Sequence, residues 1–197
     1  WAGAAQVPGG LKGGWDSTAL ACSGDRLVAV TGRNNARRVY DGTTWTETAF
    51  GSEYGTLSGL AFGGGHFGLI AYACCDTAPF AGLRAASTNG DDWTVKTNAT
   101  SGSSYRFGDV LWDGARFVAT ASQYDKRTFF STDGLDYTTQ TSTTGIGALA
   151  KLGNEYLGSS DGVFYTSPDA KTWTEAYRAA AGQRWGITRI RAGRVLK

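Results

Sequence analysis

The sequence predicts an all-β fold: a small β-propeller of about five four-stranded blades, forming one domain over residues 1–197. Two observations predict it. A glycine-centred turn between two apolar stretches recurs five times, and a second turn, ending in an aromatic residue, recurs four times between those copies. Composition agrees. Twenty-nine Gly against three Pro suit many tight hairpins, and seven Trp with nine Tyr favour strands.

The glycine turns centre on Gly24, Gly64, Gly114, Gly153 and Gly193, at intervals of 40, 50, 39 and 40 residues. That is the period of a four-stranded blade. Each turn joins the first two strands of a blade, A and B, whose apolar character fits burial between neighbouring blades. Small residues such as Ala21, Gly59 and Ala148 suit the crowded centre. The second turn joins strands C and D. Its copies run Asp41-Gly42-Thr43-Thr44-Trp45, Asn89-Gly90-Asp91-Asp92-Trp93, Asp133-Gly134-Leu135-Asp136-Tyr137 and Asp169-Ala170-Lys171-Thr172-Trp173. The Asp or Asn side chain is expected to accept hydrogen bonds from backbone N–H groups two residues on. The Gly after it supplies an unusual φ without steric cost. The aromatic is expected to cover the gap to the next blade. The blades fall at approximately 14–50, 55–98, 105–142, 145–178 and 184–197. The fifth is either incomplete or closed by a strand from the N-terminus; alternatively the chain is a window on a longer array.

These second turns resemble the Asp-box, or BNR repeat, of sialidase-like β-propellers, whose form is roughly Ser-x-Asp-x-Gly-x-Thr-Trp. Ser131-Thr132-Asp133 and Ser167-Pro168-Asp169 carry its opening, and Trp45, Trp93 and Trp173 its end. Here each turn is one residue shorter, and the Gly, where present, directly follows the Asp or Asn. The resemblance implies a propeller. Enzymes of that family use an arginine cluster, a Tyr–Glu nucleophile pair and an Asp acid in a larger ring, so this chain is expected to be a non-catalytic member.

The candidate chemistry is sparse. Asp41, Asp133 and Asp169 are each expected to serve their own turn, whereas acid–base catalysis needs two carboxyls on one face about 5–10 Å apart. Glu47 and Glu175 both stand two residues after a turn Trp, and such repetition points to structure. The single His, His66, has no nucleophile elbow beside it. Gly63-Gly64-Gly65 lacks the helix and the Lys of a phosphate loop. No catalytic residue, cofactor or metal set is expected. A net charge of +2 is too small to argue for nucleic acid. No apolar run approaches the roughly 18 residues of a membrane span.

Individuality lies in the loops between strands B and C, which gather on one face of a propeller. They offer cations, amides and a tyrosine, a mix suited to a glycan or a polar protein surface. Arg37, Arg38, Tyr124, Lys126 and Arg127 are the candidate binding residues. The expected role is a binding or structural module outside a cell or on a virus particle, with a phage tail or surface protein as one setting. A glycoside hydrolase or sialidase relative would need arginines and carboxylates clustered at the channel mouth. An assembly factor, as in the photosystem II assembly family of Asp-box propellers, would need a contiguous arginine patch.

The cysteines are Cys22, Cys74 and Cys75. Cys22 ends strand A of blade 1, and the other two end strand B of blade 2. A strand of about five residues separates those ends by about 17–20 Å, too far for a disulfide. Cys22 is therefore expected to remain a small buried thiol. Cys74 and Cys75 are expected either to form a strained adjacent disulfide or to bond another chain.

Overall fold

The computed structural model describes residues 18–31, 36–49, 56–72, 82–97 and 107–180. Sixteen strands in these segments form four antiparallel sheets, each paired in chain order. The first holds β1 (Thr18–Cys22), β2 (Leu27–Thr31), β3 (Ala36–Tyr40) and β4 (Trp45–Ala49). The second holds β5 (Thr56–Gly63), β6 (His66–Tyr72), β7 (Gly82–Ser87) and β8 (Thr94–Thr97). The third holds β9 (Phe107–Trp112), β10 (Phe117–Ala121), β11 (Arg127–Ser131) and β12 (Thr138–Thr141). The fourth holds β13 (Ala148–Leu152), β14 (Glu155–Ser160), β15 (Val163–Ser167) and β16 (Thr174–Arg178). The fifth blade expected at 184–197, and an N-terminal strand to close it, lie outside the described residues.

The four sheets are four blades. Their first strands stand in a row, β1 against β5, β5 against β9, and β9 against β13, which makes strand A the innermost. Every residue of β10 is buried, whereas every residue of β12 and β16 is exposed. The sequences follow that gradient: β10 reads Phe-Val-Ala-Thr-Ala, and β12 reads Thr-Thr-Gln-Thr. The chain-order meander puts the AB and CD turns at one end of each sheet and the BC loops at the other.

Three apolar cores fill the gaps between blades. Blades 1 and 2 share Val28, Val39, Phe67 and Leu69; blades 2 and 3 share Ile70, Phe117 and Phe129; blades 3 and 4 share Val118, Phe130, Ile146 and Leu149. Each core is sealed by the aromatic of the later blade: Trp93, Tyr137 and Trp173 respectively. The ring thus covers the gap to the preceding blade, not to the next one as the sequence reading expected. The residue after the turn Asp or Asn goes the same way. A Cβ on Gly90 would lie 2.6 Å from Val28 of blade 1, and one on Gly134 would lie 2.8 Å from the Gly68 Cα of blade 2. Glycine is needed at both places for close approach as well as for its positive φ. Gly63 and Gly64 of blade 2's AB hairpin have a similar reason. A Cβ on Gly63 would fall inside the Trp112 ring, which lies flat on this hairpin from blade 3.

Candidate functional site

At the turn end, each Asp or Asn organises its own backbone. Asp133 Oδ1 accepts the N–H groups of Leu135 and Asp136, both at 2.8 Å, and the Ser131 hydroxyl at 2.7 Å. Asp169 Oδ1 takes the N–H groups of Lys171 and Thr172 at 2.8 and 2.7 Å. Asn89 Oδ1 takes those of Asp91 and Asp92 at 2.8 Å, and Asp41 Oδ1 takes those of Thr43 and Thr44 at 2.9 and 2.8 Å. The opening serine has a separate task. The hydroxyls of Ser87 and Ser131 accept the N–H of Gly90 and Gly134 at 2.8 and 2.9 Å. Turn 1 has Val39 at that position and lacks this bond.

The electrostatics follow the geometry. Hydrogen bonds from Thr44 and Thr43 hold the Asp41 carboxyl well below its ordinary value. Burial pushes the Asp169 carboxyl up, but the Thr172 and Lys171 N–H groups outweigh it and bring it down to about 2. Asp133 is lowered in the same way against the same penalty. These carboxylates are held ionised by the hydrogen bonds of their own turns, which does not suit a proton donor.

The turns also brace one blade on another. Arg26, in the AB turn of blade 1, donates to the Asn89 carbonyl at 2.9 Å and to Asp91 at 2.6 Å in blade 2. Lys96 of blade 2 pairs with Asp136 of blade 3. Tyr156 of blade 4 donates to Asp113 of blade 3 at 2.6 Å, and Lys151 donates to the Asp113 carbonyl at 2.8 Å. Burial, then the Asp113 hydrogen bond, pushes the Tyr156 phenol up to about 12. That direction is opposite to what activating a phenol as a nucleophile requires. Glu47 and Glu175, equivalent in sequence, each pair with an arginine of their own blade, Arg38 and Arg178.

At the loop end, the sequence-predicted binding residues divide. Strand β3 begins at Ala36, so Arg37 and Arg38 belong to a strand and point to opposite faces of it. Arg37 is buried, and Arg38 Nε lies 2.9 Å from Glu47 on the paired strand. Tyr124, Lys126 and Arg127 lie on one short segment that the structure holds in place. The segment is fixed by Asp125 N–H to the Ser122 carbonyl at 2.8 Å, Arg127 N–H to the Asp125 carbonyl at 2.9 Å, and Ser142 N–H to the Lys126 carbonyl at 2.9 Å. Gly145 lies against the backbone of Gln123 and Asp125, where no side chain fits. The Arg127 guanidinium grips both Asp125 oxygens. From this fixed loop Tyr124 projects with 81% of its surface exposed, the most of any large apolar or aromatic side chain among the described residues.

The sequence reading missed two central features. A cavity of about 310 Å³ lies among the innermost strands, lined by Leu20, Phe62, Trp112, Leu149 and Lys151 among others. Beside it, Asp109 is fully buried. Its oxygens accept the Val110 N–H at 2.9 Å and the Leu149 N–H of the next blade at 3.2 Å. Counted four back from the residues that open the AB turns (Ser23, Gly63, Asp113 and Leu152), the equivalent residues are Ala19, Gly59 and Ala148. The signal was a carboxylate interrupting a row of small residues.

Among the described residues no group of three or more His, Cys, Asp or Glu is placed to hold a metal ion, and no helix is long and apolar enough to cross a membrane. Cys22 is a free thiol and is exposed, because it ends β1 where the hairpin meets solvent; it is not the buried thiol expected. Cys74 and Cys75 lie outside the described residues.

No family model matches the chain, and no curated protein matches it either. Solved structures do. The structure of YCF48 bound to D1 peptide superposes with a TM-score of 0.57 at 12% identity, covering 81% of this chain and 53% of that one. The extracellular domain of a protein described as a hybrid two-component system from B. thetaiotaomicron gives 0.56 at 16% identity, covering 84% and 23%. A GH74 enzyme of Niastella koreensis gives 0.51 at 17%, covering 82% and 24%. The fold is a small β-propeller. This chain spans about half the length of the first of these propellers and about a quarter of the other two.

Proposed function

We propose that this propeller is a non-catalytic binding module of the Asp-box type, presenting its BC-loop end to a glycan or protein partner. It works outside a cell or on a virus particle, as part of a larger assembly. The observation that carries this reading is the contrast between the two ends. At the turn end Asp41, Asp133, Asp169 and Asp113 are committed to hydrogen bonds that hold the fold. At the loop end an exposed Tyr124 stands on a hydrogen-bonded loop beside an exposed Lys126, a rigid aromatic with a cation at its side. A propeller that matches this one in shape was solved with a peptide bound, which supports the use of such a scaffold for binding. The test is a fluorogenic glycosidase screen run beside a glycan array and a capture experiment with the purified domain. Binding without turnover is expected; turnover abolished by substituting one carboxylate would sink the reading.

A further inference from the structure

We infer that Tyr124 is the stacking platform of a saccharide subsite, and that its ligand is a pyranose carrying an anionic group, such as a uronic acid or a sulfated sugar. This rests on the binding-module reading and names the ligand class for it. A large ring left 81% exposed in water gains nothing for the fold, yet its loop is fixed at both ends by backbone hydrogen bonds. Little ordering entropy therefore remains to be lost when a ligand lands on it. The surroundings select the kind of ligand. A protein hot spot is an aromatic within a desolvated apolar patch. Tyr124 instead has Ser122, Gln123, Asp125 and Lys126 as its chain neighbours, and Gly145 of the facing segment lies against the loop backbone. An exposed flat ring with polar residues on either side of it in the chain suits a pyranose, whose C–H face is apolar and whose hydroxyls lie at the edge.

Charge narrows the choice further. Asp125 is the only carboxylate of the loop, and both its oxygens are held by Arg127. Lys126 is exposed and has no ion-pair partner among the described residues. The loop thus presents one uncompensated positive charge two residues from the ring, and an ammonium in that position favours a carboxylate or sulfate on the sugar.

The experiment is an array of neutral, carboxylated and sulfated oligosaccharides, followed by calorimetric titration with the best binder. Acidic sugars are expected to bind and their neutral analogues to bind more weakly. Tyr124→Ala should lower affinity about tenfold or more, whereas Tyr124→Phe, which keeps the ring face, should stay within about threefold. Lys126→Gln should erase the preference for acidic sugars without abolishing binding. Tyr177→Ala, which removes an exposed tyrosine of β16 on another blade, is the control and should change nothing. All of these variants should melt with the wild type, since the side chains removed are exposed. Saccharide binding that survives Tyr124→Ala overturns the subsite. Loss of a protein partner on Tyr124→Ala, with no saccharide retained, overturns the ligand class and leaves the binding-module reading standing. Glycosidase turnover would remove that reading itself.

Discussion

The CD turns of blades 2 and 4 have the same shape and different chemistry. Turn 2 uses Asn89 as its acceptor and turn 4 uses Asp169, and each oxygen receives the same pair of N–H groups at 2.7–2.8 Å. Turn 2 places Gly90 in the left-handed region; turn 4 places Ala170 there at φ 61°, fully buried against blade 3. Trp93 donates its indole N–H to the Gly90 carbonyl at 2.7 Å. The equivalent carbonyl in turn 4, that of Ala170, is taken by the Thr128 hydroxyl at 2.7 Å, and the Trp173 indole nitrogen is buried without a partner. The motif therefore requires an oxygen at a fixed point, a left-handed backbone and a ring over the preceding blade. Charge, glycine and the indole hydrogen bond are each dispensable somewhere.

The largest expected break is Gly90→Ala. Turn 4 tolerates a methyl, but in turn 2 it would meet Val28 at 2.6 Å, so overpacking adds to the left-handed strain and the cost should be about 1–3 kcal/mol. The reverse change, Ala170→Gly, relieves strain and loses one buried methyl, and should stay within about 1 kcal/mol. Urea unfolding measures both; changes equal in size and opposite in sign would show that backbone strain alone, not the neighbouring blade, sets the preference.

Next in size is the indole. Trp93→Phe strands the Gly90 carbonyl, whereas Trp173→Phe removes a donor that was already unsatisfied. The first should cost about 1 kcal/mol more than the second. Identical shifts in the unfolding midpoint would mean that the Trp93 bond contributes nothing.

The smallest effect is the charge. The folded Asp169 carboxyl lies at about 2, below its unfolded value of about 3.9. Its contribution is present above the unfolded value and is lost as pH falls through about 2. Asp169→Asn should therefore cost less than about 1 kcal/mol at neutral pH, given solvent screening, and nothing below about pH 2. A cost that persists into acid would trace to turn geometry instead of charge.

The turns were legible because each makes the same local demand on the backbone, so the sequence repeats its answer. The partner of each ring was not legible. The spacing of Trp93 or Trp173 says that it lies on strand D's face, but which neighbour that face meets depends on how twisted sheets stack. Arg37 and Arg38 were read as loop because Gly32 to Asn35 is polar; pairing with β2 and β4 draws them into β3. The three glycines at 63–65 looked like a turn signal alone, and the reason for Gly63 and Gly64 is a tryptophan 48 or more positions later in the chain. Tyr124 was legible as a loop aromatic. Its fixed posture was not, since that comes from Ser142 and Gly145 in another loop.

Asp109 bears on a difficulty shared by every chain made of similar units, which is how a blade avoids docking against the wrong copy. The inner strands of the other three blades carry Ala19, Gly59 and Ala148 at this level. Asp109 accepts the Leu149 N–H on one side, and Gly59 leaves space for it on the other. A chain that docked β1 against β9 in place of β5 would set Ala19 at the level of Gly59, where a Cβ would lie 2.9 Å from Val110 and 3.3 Å from Asp109, a crowding that packed interiors penalise. Gly59 and Asp109 thus make the seam between β5 and β9 unlike its neighbours, and a repeat chain whose seams differ has one fewer way to join its blades wrongly, a characteristic hazard of repeats.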